Sequence, residues 1–267
     1  MNKIEVVNPL VETDEEDNKN SFTSNKIIFE DGSTNHDKDI ATVIQMPQFN
    51  CIKNFLNLFY QEQFDNKSLV DLGCLEGAWS YEFAKMGFDV TGIEVRKNNF
   101  KNCEIVKEKS KLKNLDFKLD TCWNLNKYKN YDVILCNGLL YHLDRPKKFL
   151  EIVYEKTNDL FILDTHFSFS THNNSTSNHF LSEISQNEGL RGRWYYEYND
   201  GTDLKFKEKN KWRAYENDKS FWILKDDLIT CLYNLGFKSV IEFYDIFKSH
   251  HSELIDQRLR SVFIAIK

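Results

Sequence analysis

Apolar positions follow two alternating rhythms from about residue 46 onward. In MPQFNCIKNFLNLFYQEQF, Phe49, Ile52, Phe55, Leu56 and Phe59 fall at helical spacing, with Pro47 tolerated in the first turn. SLVDL then reads as a short apolar strand, and AWSYEFAKMG as a helix that stops at Gly87. FDVTGIE is a strand, and a charged helix runs from about Arg96 to Lys113. LDFKL and YDVILC are strands, the second apolar throughout. RPKKFLEIVYEK gives a helix with Pro146 near its start, and DLFILD is another buried strand. Such alternation builds a parallel sheet covered on both faces. The expected class is therefore α/β, a doubly wound, mostly parallel sheet of about seven strands.

The rhythm breaks over residues 167–219, which are rich first in Ser, Asn and His and then in aromatics and charge. The helix KDDLITCLYNLGF and the strands KSVIEFYD and SVFIAIK restore it. A long insert at that place is expected to form a lid or a substrate wall rather than a separate domain. At the other end VETDEEDNKN is acidic and aperiodic, so residues 1–45 are expected as an N-terminal lead, partly disordered. Residues 46–267 then make one domain.

Composition narrows the class. The 267 residues are 41% hydrophobic and 14% aromatic, with three prolines and ten glycines, which suits a globular chain rather than a fibrous one. A net charge of −6 gives no general attraction to a phosphate backbone. The runs Lys107 to Lys113 and Lys205 to Lys211 read as solvated faces. No apolar run approaches 18 residues and none follows Met1, so neither a membrane span nor secretion is expected. The six cysteines form no CxxC pair, which points to reduced thiols in the cytoplasm and to no metal site.

Candidate chemistry starts at LVDLGCLEG. A glycine turn at the carboxyl end of a first strand lets backbone N–H groups and a helix N-terminus approach a ligand. A dinucleotide-binding turn would read GxGxxG, but Leu75 stands where its second glycine belongs. Glu94 closes the second strand, where a carboxylate accepts both hydroxyls of a ribose. The pair indicates a nucleoside and disfavours a diphosphate, and with it a nicotinamide oxidoreductase.

This arrangement resembles the class I S-adenosylmethionine-dependent methyltransferases, which are Rossmann-like. Asp71, Gly73, Cys74 and Gly77 of DLGCLEG match their first motif, and Glu94 their second. Asp120, followed by Thr121, matches the acid after strand three that faces the adenine amine in the family. CNGLLYHLDRP, with Asn137, looks like the segment after their fourth strand. The likeness covers about residues 66–166 well and 220–267 in outline. Leu75 departs from the usual middle glycine, which a cofactor without phosphate tolerates. LLYHLDRP and the KSFW–helix–GF ending are also similar to enzymes that modify the wobble uridine of tRNA, and equally to small-molecule methyltransferases of sugar and natural-product pathways.

The resemblance implies in-line methyl transfer, in which the protein aligns the acceptor and excludes water. A base is needed only where the acceptor carries a proton at neutral pH. His142 after strand four and His166 after strand five are the candidates, since histidine titrates near neutrality. Asn137 is expected on the cofactor side. His172, His179, His250 and His251 carry no assignment.

Nine aromatics lie between Trp194 and Trp222, beside Arg193 and Arg213. Rings and guanidinium suit an acceptor pocket, with Tyr141, Arg193, Tyr196 and Trp222 as its candidates. The same rings would equally serve to pack the insert onto the sheet, and Phe221 and Trp222 run straight into a helix as core residues do. The expected activity is S-adenosylmethionine-dependent O- or N-methylation of a small molecule. A tRNA-modifying transferase and a silent cofactor-binding subunit remain the alternatives.

Overall fold

The computed structural model describes residues 22–171, 180–243 and 259–267. Helix α1 (Pro47–Tyr60) leads into the alternation β1 (Ser68–Leu72), α2 (Ala78–Met86), β2 (Asp89–Glu94), α3 (Lys97–Ser110) and β3 (Leu115–Leu119). It continues through β4 (Tyr131–Asn137), α4 (Pro146–Lys156) and β5 (Thr157–His166). The insert supplies β6 (Ser185–Asn187), β7 (Leu190–Tyr196) and α5 (Leu204–Lys209). Strand β8 (Lys219–Ile223), α6 (Lys225–Leu235), β9 (Ser239–Phe243) and β10 (Arg260–Ile266) close the chain.

Seven strands form one sheet in the order β3-β2-β1-β4-β5-β10-β9. The pairs from β3 through β5 are parallel, and β10 runs antiparallel between β5 and β9. Period-two alternation gives each face its own core. Leu69, Val133, Ile162 and Ile264 join Phe49, Phe83 and Phe88 on one side. Val70, Ile134, Leu163 and Phe263 join Phe149, Leu232 and Phe237 on the other. Truncating Phe149 or Phe263 to alanine would cost about 3–5 kcal/mol.

One expectation changes here, and a second gains detail. Residues 22–45, expected with the N-terminal lead, pack on the sheet's first face: Phe22, Ile27, Phe29 and Val43 are all buried in it. Seven large apolar side chains, Phe22, Ile27, Ile28, Phe29, Ile40, Val43 and Ile44, lie in this stretch, and burying four of them gives the reason. Residues 1–21 lie outside the described residues. The insert, in turn, builds a second antiparallel sheet, β6-β7-β8. Glu188 and Gly189, at φ +53° and +81°, turn β6 into β7 as a two-residue hairpin of the type that both positive φ angles allow. Among the described residues no helix is long and apolar enough to cross a membrane.

Candidate active site

A cavity of about 700 Å³ opens at the carboxyl ends of β1, β2 and β4, walled on the far side by residues 211–217 of the insert. Ligand pockets run from roughly 300 to 1,000 Å³, so a nucleoside cofactor and a small acceptor fit together.

Its floor is the glycine turn. Gly73 N and Cys74 N both donate to the Ile93 carbonyl, at 2.8 and 3.1 Å, which ties the turn to the end of β2. Gly73 takes φ +70° and faces the cavity, so the chain there presents backbone alone. Gly77, at φ +82°, starts α2, and a β-carbon on it would lie 2.7 Å from the Phe117 ring. It shapes the turn from behind and does not line the cavity. Leu75 adopts φ +56°, a left-handed conformation that costs a non-glycine residue about 1–2 kcal/mol. Its amide donates to Glu94 Oε2 at 3.0 Å, which offsets part of that cost.

Glu94 is 4% exposed and also accepts from Arg96 N at 2.7 Å. Burial pushes its pKa up to about 7 despite these bonds. Burial likewise raises Asp71 to about 7, with the Ser80 hydroxyl donating to it at 2.7 Å. Asp120 behaves oppositely. Burial would raise it, but bonds from Asn124, Tyr128 and the Thr121 amide override that and hold it below the usual range. Asp120, Thr121 and Asn137 all line the cavity.

His142 ends a 3-10 turn after β4 and faces the cavity. Its Nδ1 lies 2.7 Å from Oε1 of Glu197, a carboxylate 1% exposed. Ser220 donates to the same oxygen at 2.9 Å. The insert fixes the loop itself: Asn217 Nδ2 donates to the His142 carbonyl at 3.0 Å, and Trp222 Nε1 to the Tyr141 carbonyl at 3.0 Å. With Nδ1 engaged, Nε2 is the ring nitrogen left for an acceptor. The tautomer with Nδ1–H donating to Glu197 makes Nε2 a proton acceptor.

The remaining candidates divide. Tyr141 lines the cavity, its ring centroid 4.2 Å from that of His142. His166 does not: it stacks on Trp222 behind Tyr141, centroids 4.7 Å apart. Trp222 is 2% exposed and packs the loop from beneath. Arg193 is buried, its guanidinium donating to the carbonyls of Phe169, Ser182 and Ser170 at 3.2, 2.9 and 3.0 Å. Tyr196 is 49% exposed on β7, away from the cavity. The acceptor role expected for Arg193, Tyr196 and Trp222 is thus corrected, because strand alternation in the second sheet turns them into its core or out to solvent. His172, His179, His250 and His251 lie outside the described residues.

Sequence reading missed Glu197, Arg96, Asp164 and Arg260. Arg96 follows Glu94 and donates from Nη2 to the carbonyls of Asn210 and Arg213, at 3.0 and 2.6 Å, holding the insert over the cavity. Asp164 ends the apolar run LFILD just as Asp71 and Glu94 end theirs, so the same rule would have found it.

A doubly wound sheet whose second strand closes on a buried acid, beside a glycine turn with Leu75 in place of the middle glycine, is the frame of a class I S-adenosylmethionine-dependent methyltransferase. A family model described as a methyltransferase domain matches residues 44–242, and the chain belongs to that family. S-adenosylmethionine is its cofactor. Curated relatives include the ubiquinone biosynthesis O-methyltransferase of Rickettsia typhi, 29% identical over 99 residues, which cover 36% of this chain and 40% of that protein. The chain thus spans well under half of that relative's length. The Rickettsia akari protein of the same name is 24% identical over 201 residues, 68% of this chain and 77% of the relative. Among solved structures, the N-terminal domain of EvdMO1, crystallised in the presence of SAH and D-fucose, aligns at TM-score 0.63 and 20% identity. That alignment covers 91% of this chain and 89% of the other and shows a shared fold.

The residues present fit the cofactor. Glu94 is a buried acceptor at the strand end, Gly73 leaves its wall bare, and Asp120 and Thr121 line the same cavity.

Proposed function

We propose that this methyltransferase transfers a methyl group to a hydroxyl of a small acceptor, with His142 as general base and Glu197 as the residue that orients it. The 2.7 Å contact between His142 Nδ1 and the buried Glu197 carboxylate carries this reading. A sulfonium supplies an activated methyl group when the cofactor is bound. A hydroxyl is a weak nucleophile until its proton leaves, and a positioned base contributes about 10²–10⁴-fold. His142 Nε2 takes that proton as the oxygen attacks. Glu197 stabilises the imidazolium that results, and the insert keeps water from the same space.

Asp71, Gly73, Cys74, Glu94, Asp120, Thr121 and Asn137 serve on the cofactor side, with Gly77 shaping the turn, and Tyr141 serves beside the acceptor. The O-methyltransferase relatives support oxygen as the methylated atom. A net charge of −6 and a cavity of about 700 Å³ favour a small acceptor over tRNA. The test is His142→Ala with a panel of hydroxyl acceptors. Cofactor affinity should hold, turnover should fall by about 10²-fold or more, and the pH–rate limb that reports the base should vanish. An unchanged pH profile would make His142 a loop anchor.

A further inference from the structure

Arg260 begins β10 and Asp164 lies two residues before the end of β5, at the acceptor side of the cavity, and both line it. Arg260 Nε donates to Asp164 Oδ1 at 2.8 Å and Nη2 to Oδ2 at 3.0 Å, a bidentate pair. Asp164 is 4% exposed. Tyr141 joins this pair to the base, since its ring lies 4.2 Å from His142 and 5.6 Å from the Arg260 guanidinium carbon. Gly138, at φ +80°, passes close by. A β-carbon there would meet the Tyr141 hydroxyl at 3.4 Å and Arg260 Nη2 at 3.6 Å, so glycine leaves both polar ends uncovered.

Among the described residues every cation lining the cavity is already engaged. Arg96 holds insert carbonyls, Lys211 pairs with Glu76 at 2.9 Å, Arg213 reaches the Glu197 carbonyl, and Arg260 holds Asp164. The cation beside Tyr141 is Arg260, and Asp164 already matches its charge, so a carboxylate or phosphate on an acceptor placed there would face the Asp164 carboxylate. A hydroxyl meets no such penalty. Arg260 has N–H groups left to donate, and each Asp164 oxygen has a second lone pair to accept.

We infer that Asp164 masks Arg260 and so selects an uncharged, hydroxyl-bearing acceptor, the pair holding an oxygen next to the one methylated. This deepens the hydroxyl-methylation reading and rests on the acceptor lying beside His142. Neutral phenolic alcohols and sugars share the required chemistry.

The test is calorimetric binding to protein loaded with S-adenosylhomocysteine, using two matched pairs. The aromatic pair is 2-hydroxybenzyl alcohol against 2-hydroxybenzoate, and the sugar pair is methyl glucoside against methyl glucuronide. One neutral member should bind at least about tenfold tighter than its acid, and which one does so identifies the source. Asp164→Asn should shift that ratio at least tenfold toward the acid, by unmasking the guanidinium. Arg260→Gln should weaken the neutral probe without strengthening the acid, and it serves if the first variant does not fold. Equal or tighter binding of the acids, an unchanged ratio in Asp164→Asn, or no binding of either neutral probe would overturn the inference. Turnover is not read here, so a surviving pH limb in His142→Ala would sink the base while leaving charge selection standing.

Discussion

Glu197 Oε1 lies 2.7 Å from His142 Nδ1, although 55 residues of chain separate them. Glu197 is fixed from three directions, one at its carboxylate and two at its backbone. Ser220 donates to Oε1, the Glu197 amide donates to the Asp218 carbonyl at 2.9 Å, and Arg213 donates to the Glu197 carbonyl. Glu197→Gln should therefore lower kcat by about tenfold or more while the cofactor KM stays unchanged. Glu197→Asp, which keeps the charge, should recover part of the loss. Equal losses in both variants together with a lowered melting temperature would make the residue structural instead.

Glu94 predicts a pH dependence with a definite sign. Its pKa is raised from 4.5 to about 7, so the free folded protein holds this proton more tightly than the unfolded chain does. The stability it contributes is full below about pH 4.5 and is lost as pH rises through 7. Ribose hydroxyls prefer the ionised carboxylate, so cofactor affinity should fall as pH drops below 7. Glu94→Gln should flatten the affinity curve, remove its share of the stability slope while leaving that of Asp71, and weaken binding by about 1–3 kcal/mol. Denaturant melts and calorimetry between pH 5 and 8, approximate limits set by the two pKa values, check it.

The two turn glycines should fail differently. Gly77→Ala places a β-carbon 2.7 Å from the Phe117 ring as well as in a left-handed backbone, so it should destabilise by about 2–4 kcal/mol. Gly73→Ala meets only Leu139, at 3.4 Å, and should cost about 1–2 kcal/mol. Its larger effect should be on cofactor affinity, because it alters the cavity wall. Paired melting and binding curves separate the two.

Arg96 ties the cofactor strand to the insert through the carbonyls of Lys207, Asn210, Arg213 and Ala214. Arg96→Met should leave the sheet intact and speed amide hydrogen exchange across residues 204–215. Cofactor release should accelerate with it in stopped-flow measurements. Unchanged exchange in that segment would show that Lys211 and Glu76 suffice to hold it.

Arg193 is buried with three carbonyls on its guanidinium. Arg193→Met leaves them unpaired and should cost about 2–4 kcal/mol of stability. The acceptor KM of the folded fraction should not change. A raised KM would return Arg193 to the acceptor site.

The sheet and the cofactor end were legible in the sequence because their signals are local. A run such as LVDL or VILC reports its own burial, and the residue that ends it stands at the carboxyl edge whatever the rest of the chain does. Asp71, Glu94, Asp120 and Asn137 were found in that way, and Asp164 obeyed the same rule unnoticed. The acceptor end was not legible. Glu197 lies in WYYEYND as one acid among aromatics, and only the pairing of β7 with β8 aims it at His142. Arg193 sits four residues earlier, within β7, while Glu197 just follows that strand, yet the tertiary fold points the Arg193 donors at carbonyls. Sequence spacing fixes which face of a strand a side chain takes. Which group waits on that face is set by contacts between segments far apart in the chain, and those exist only once the insert has folded against the loop after β4.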